Sequence, residues 1–192
     1  MSHTPLVDAR VWPLLVFADR QLAEEARAAG CSCGGTLHSA RYPRKPRGGP
    51  PAELAAEYAS RESWCCARDD CRRRTTPPSL RFLGRRVYLG AVVVLVSAMT
   101  GGVTVKRAAA IRAQVGVSIR TLQRWRAWWL QTFPRTAFWR EVHARFVPVV
   151  DERTLPASLV ERFGGTAGAD HVEPCLRFLA PITILGGDTM AA

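Results

Sequence analysis

Residues 31–35 read Cys31-Ser32-Cys33-Gly34-Gly35, and residues 65–71 read Cys65-Cys66-Ala67-Arg68-Asp69-Asp70-Cys71. Five of the six cysteines thus fall in two short groups with 31 residues between them. A disulfide framework belongs to an oxidising compartment, and no secretory segment is read at the start. The apolar run Val11–Phe17 is short, contains Pro13, and follows Asp8 and Arg10 with no basic stretch before it. Two thiolate pairs brought together from separate turns suit a closed tetrahedral zinc site: soft ligands and no open position. Gly34 and Gly35 let the backbone turn sharply and aim its amides at the sulfurs. The expected zinc ligands are Cys31, Cys33, Cys66 and Cys71. The first pair is spaced C-x-C rather than C-x2-C, so His38 stands as an alternative to Cys33, and Cys65 as an alternative to Cys66. Cys175, alone in an apolar segment, reads as plain core.

Outward from the cysteines, the sequence predicts a helix over Ala18–Ala29, with Asp19 near its start and Gly30 as its stop. Residues 41–51 hold four prolines and two glycines and are expected to form an exposed basic loop without regular structure. Arg44, Lys45 and Arg47 lie in it. The segment leaving Cys71 is Arg72-Arg73-Arg74 followed by the turn signal Thr75-Thr76-Pro77-Pro78-Ser79. From Val87 to about Arg145 the pattern is helical. Beyond it, Pro148, Pro156, Gly164, Gly165 and Pro181 break the chain into short amphipathic pieces.

Residues 105–131 carry a helix-turn-helix pattern. Gly116 supplies the turn, Ile111, Val115, Val117, Leu122 and Trp125 face inward, and Ser118 caps the second helix. Arg112 stands where a small residue would allow closer helix approach. The outer face of the second helix is then Arg120, Gln123, Arg124 and Ala127. Arginine pairs with guanine, glutamine with adenine, and an alanine methyl meets the thymine methyl. The nearby aromatics Trp128, Trp129, Phe133, Phe138 and Trp139 are expected in the core rather than stacked on bases.

Charge supports a polyanionic partner. The 192 residues carry a net +11, and residues 41–126 hold 18 basic and 5 acidic side chains. Between Cys71 and Arg140 there are 14 Lys or Arg and no Asp or Glu. Such a field attracts nucleic acid by releasing condensed counterions. The uncharged run Val87–Val105 is long enough to span a bilayer. Gly90, Gly101 and Gly102 interrupt it, however, and equal basic flanks give it no orientation, so Tyr88–Met99 is read as a buried core helix.

The order of these parts resembles the zinc-ribbon and helix-turn-helix portion of bacterial insertion-element transposases and their small accessory proteins. It also resembles a group of bacterial proteins carrying the motif seen here as Cys33–Gly35, Leu37–His38 and Arg44–Gly48. The resemblance covers about residues 30–135 and implies DNA binding at element ends or promoters, without implying catalysis. Transposition chemistry needs three carboxylates on a sheet. The acids after Asp70 lie in a short segment rich in breakers, so no enzyme is expected.

The expected fold is mainly α with a small β zinc ribbon, followed by a helical helix-turn-helix bundle. The expected units are an N-terminal helix (1–30), the ribbon (31–86), the core helix and helix-turn-helix (87–145) and an irregular or short-helical tail (146–192). The expected partners are double-stranded DNA, contacted by Arg120, Gln123, Arg124, Ala127, Arg72, Arg73, Arg74, Arg44, Lys45 and Arg47, and a transposase encoded nearby. Neither a membrane nor a small-molecule substrate is expected, and the expected location is cytoplasmic, on the nucleoid. The alternatives are an RNA-associated zinc ribbon using 41–47, and a membrane anchor through 87–105.

Overall fold

The computed structural model describes residues 11–44, 55–82, 118–164 and 169–184. Lys45, Arg47, the run Val87–Val105 and the first helix and turn of the expected helix-turn-helix, Gly116 included, lie outside them. Helix α1 spans Val11–Ala28 and so begins well before the expected Ala18. Pro13 is tolerated because the N–H groups of a first helical turn have no intrahelical acceptor to lose. Asp19, expected at the helix start, therefore sits in mid-helix. Gly30, at φ 72°, ends the helix as expected and donates its amide to the Arg27 carbonyl at 3.0 Å.

A short antiparallel ribbon follows. Strands β1 (Leu37–Ser39) and β2 (Tyr42–Pro43) run out, helix α2 (Ala55–Tyr58) turns the chain, and β3 (Ser60–Arg61) and β4 (Trp64–Cys66) return. Leu37 faces Cys66 and Tyr42 faces Arg61 in one continuous register, and β5 (Arg74–Thr75) adds to the far side of β4. The start of the Pro/Gly-rich loop is thus strand, against expectation. Pro43 fits because it falls at a position whose N–H would point away from the partner strand.

From Ser118 onward the described residues are mainly helical. Helix α3 (Ile119–Ala127) passes into a π-turn at Trp128–Thr132 and a 3₁₀ turn at Phe133–Arg135. Helices α4 (Ala137–Val142), α5 (Ala157–Arg162) and α6 (Ala169–Leu179) follow. Ser118 caps α3 by accepting from the Thr121 amide, and Thr136 caps α4 by accepting from the Trp139 amide. No described helix is long and apolar enough to cross a membrane.

Among the described residues, two apolar clusters form the core. The larger joins Trp12 and Leu15 of α1, Leu122 and Trp125 of α3, Trp129, Phe133, Trp139, and Leu176 and Leu179 of α6. The residues expected as a tail therefore supply part of the main core. The smaller cluster is Ala23, Cys31, Leu37, Trp64 and Cys66. Helix α1 belongs to both, its first half in the large cluster and its second half over the ribbon.

A buried polar latch sits between them. Arg81 and Asp19 are 2% and 1% exposed, and Arg81 Nε donates to Asp19 Oδ2 at 2.8 Å. The other Arg81 nitrogens donate to the carbonyls of Glu57, Tyr58 and Ser60, while Asp19 also accepts from Ser79 Oγ and the Leu80 amide. Arg61, likewise buried, donates to the carbonyls of Pro77 and Pro78. Such groups survive burial only when hydrogen-bonded this fully. Two arginines of the basic central segment are therefore internal and cannot meet a partner.

Candidate metal centre and basic surfaces

Each cysteine knuckle is a turn whose backbone is fixed before any ion is considered. In the first, Gly34 at φ 76° donates to the Cys31 carbonyl at 2.8 Å. A side chain is excluded at the next residue, since a Cβ on Gly35 would lie 2.6 Å from Cys66 Sγ. In the second, Cys66 ends β4, and the amides of Cys71 and Arg72 both donate to the Arg68 carbonyl. Arg72 takes φ 45°, an uncommon conformation for a non-glycine residue.

The two turns bring Cys31, Cys33, Cys66 and Cys71 together, with all four sulfurs within 4.8 Å of one another. Neighbouring sulfurs are 3.5 Å apart for Cys33–Cys31 and Cys33–Cys66, and 3.7 Å for Cys31–Cys71. These separations are far beyond the roughly 2.05 Å of a disulfide, and all six cysteines are free. The group can hold one metal ion. Cys31 and Cys66 are buried and Cys33 and Cys71 half-exposed, so the centre is covered on the protein side and reachable from the other.

Strand alternation resolves the alternative ligands. Cys66 and Leu37 share the face turned toward α1, whereas Cys65 and His38 are paired on the opposite face. The Cys65 thiol instead points at the carbonyls of Cys66 and Arg72. Neither Cys65 nor His38 belongs to the metal-binding group.

The surroundings favour thiolate at Cys31 and oppose it at Cys66 and Cys71. Backbone amides two residues downstream face three of the sulfurs: Cys33 to Cys31, Arg68 to Cys66 and Arg73 to Cys71. The Cys33 amide and thiol bring Cys31 down to about 7. At Cys66 the Arg68 amide pulls downward, but burial and the thiols of Cys33, Cys31 and Cys71 prevail and push it up to about 12. The first proton of the cluster leaves readily and the later ones are held by repulsion between sulfurs, which a central cation relieves. Arg68 completes the arrangement, donating to the Cys33 carbonyl at 3.3 Å and to both oxygens of Asp70. Sequence reasoning passed over Arg68 and Ser32, although both lie inside the knuckles. Arg73 Nη1 donates to Ser32 Oγ at 2.6 Å and ties the two turns together.

The basic residues separate into several classes. Arg41 is paired with Glu62, Arg68 with Asp70 and Arg72 with Asp69. Arg73 and Arg74 are exposed and have no carboxylate partner among the described residues. The Arg74 guanidinium lies 5.9 Å from the Tyr42 ring centre, and that of Arg44 lies 4.9 Å from the same ring. On α3, Arg120, Gln123, Arg124 and Ala127 are all exposed, while Thr121, Leu122 and Trp125 are buried. The aromatic residues after α3 lie in the core, with Trp129 and Phe133 at 0% exposure and Trp139 at 1%.

No protein-family description, curated protein or solved structure matches this chain.

Proposed function

We propose that the chain is a zinc-dependent DNA-binding protein, an accessory factor or regulator of a mobile element. In this reading Cys31, Cys33, Cys66 and Cys71 hold one structural zinc ion. Sulfurs placed tetrahedrally at about 2.3 Å from zinc are about 3.8 Å apart, close to the 3.5 and 3.7 Å separations of three of the sulfur pairs, with all four sulfurs inside 4.8 Å. Four thiolates leave no position open for substrate, so the ion acts on the fold and not on a reaction.

The observation that carries the DNA reading is the sidedness of α3. One face is anchored in the core by Leu122 and Trp125, and the other offers Arg120, Gln123, Arg124 and Ala127 to solvent. A rigidly mounted helix with these side chains can read base edges in a major groove. Arg73 and Arg74 on the ribbon supply phosphate contacts that position without specifying.

Selection of bound duplexes from a random pool tests this directly. The wild-type chain should enrich a defined sequence, and Arg120→Ala with Arg124→Ala should lose that enrichment while keeping weaker, salt-sensitive binding. Arg73→Ala with Arg74→Ala should instead preserve the preferred sequence and lower the salt slope of binding by about two. Duplex binding unaffected by the α3 pair, with RNA binding lost on deleting 41–51, would transfer the function to the RNA-associated reading.

A further inference from the structure

The four-cysteine centre divides into two pairs of the same kind. Cys33 lies 3.5 Å from Cys66, and Cys71 lies 3.7 Å from Cys31, sulfur to sulfur. In each pair one thiol is half-exposed, Cys33 or Cys71, and its partner, Cys66 or Cys31, is buried. Each pair also joins the first turn to the second. A third contact, Cys33 to Cys31 at 3.5 Å, lies within the first turn. A covalent bridge there would leave Cys66 to pair with Cys71, and nothing would hold the two turns together. Cys65 is half-exposed as well, but it sits on the opposite face of β4, with its thiol at the carbonyls of Cys66 and Arg72.

We propose that this centre is a peroxide-sensitive thiol site, whose oxidation replaces the metal by two disulfides, Cys33–Cys66 and Cys31–Cys71. It rests on the metal-binding reading of the four cysteines and is independent of the DNA reading. A bound metal ion keeps its sulfurs as thiolates, the nucleophilic form. Oxidation of cysteine follows thiolate character and exposure, which selects Cys33 and Cys71 as the points of attack. The Cys33 thiolate attacks hydrogen peroxide. An S–O bond forms, the O–O bond breaks, and the departing hydroxide takes a proton to become water. The sulfur has lost two electrons to the peroxide and is now a sulfenic acid. The Cys66 thiolate then attacks the Cys33 sulfur, the S–S bond forms, the S–O bond breaks, and a second hydroxide leaves as water. Another peroxide does the same at Cys71, with Cys31 as the resolving thiolate. The ion, left without thiolates, departs. The two bridges span the same two turns that the metal spans, so the oxidised ribbon stays closed without metal.

The test treats the zinc-loaded full chain with hydrogen peroxide, follows zinc release with a colorimetric chelator, and reads intact mass and tryptophan emission. The expected result is loss of the zinc and of four hydrogens, emission unchanged from the loaded chain, and full reversal by dithiothreitol with added zinc. Non-reducing peptide mapping assigns the bridges, because trypsin cuts after Arg68, between Cys66 and Cys71, and backbone fragmentation at Ser32 separates Cys31 from Cys33. Cys65→Ser removes the ambiguity with the neighbouring Cys66 and should give the same bridges, with zinc release within about twofold of the wild-type rate. A bridge to Cys65, a Cys31–Cys33 bridge, zinc retained through the treatment, or an emission shift like that on chelation would overturn the proposal. A chain that carries no zinc at the outset would instead contradict the metal reading. Mapping that chain after peroxide still decides the pairing: the same two bridges support it and any other pairing overturns it.

Discussion

Strand geometry puts the Cys66 sulfur on the side of β4 that faces Cys31 and Cys33, and carries the adjacent Cys65 sulfur to the other side. Sequence spacing brought both residues into contention, and one side-chain alternation separates their roles. The consequence is measurable by alkylation. With metal bound, Cys65 should be the first thiol to react, while the four ligands are shielded. Chelation should expose four more sites, and Cys175, pushed up to about 12 by burial, should remain unlabelled until the chain is denatured. Intact-mass measurement reads each step, and rapid labelling of all six in the presence of metal would contradict the ligand assignment. Gly35 makes a second residue-scale case. A Cβ there would lie 2.6 Å from Cys66 Sγ and 2.9 Å from Arg68 Cγ. Gly35→Ala should therefore weaken metal retention against a competing chelator by roughly 10–100-fold, the usual effect of disturbing the groups that orient ligands. Unchanged retention would show that the turn tolerates a side chain.

Among the elements, α1 departs furthest from its sequence pattern. A proline followed by an apolar run suggests that the helix starts after it, yet the free N–H groups of the first turn let α1 begin at Val11. Its first half then packs with α6, far away in sequence, which no local pattern could show. The same holds for Asp19. In sequence it resembles a helix-start residue, and its role depends on Arg81, 62 positions later. Gly30, the cap at Ser118 and the inward positions Leu122 and Trp125 were legible because their causes are local. The latch yields its own prediction: Asp19→Asn leaves the Arg81 charge buried without a counter-charge and should cost about 3–5 kcal/mol. Urea unfolding with an unchanged slope checks this, and a loss below 1 kcal/mol would mean that the latch contributes little.

For the whole molecule, α1 links two cores of unequal size. The ribbon cluster has five buried members, two of them from the four-cysteine group, so it cannot stand on apolar burial alone. The larger cluster contains no member of the four-cysteine group. Metal removal should therefore unfold the ribbon and leave the helices largely intact. Of the six tryptophans only Trp64 lies in the ribbon cluster, where its Nε1 donates to the Ala23 carbonyl at 2.9 Å. Its exposure on chelation should shift the emission while far-ultraviolet dichroism retains most of its helical signal. The central claim, that four cysteines fold this ribbon around one zinc ion, meets its most direct test in native mass spectrometry of the full chain. The account predicts one zinc per chain, retained in Cys65→Ser and lost in Cys66→Ser. A chain that carries no metal and yet keeps its folded charge-state distribution would contradict it.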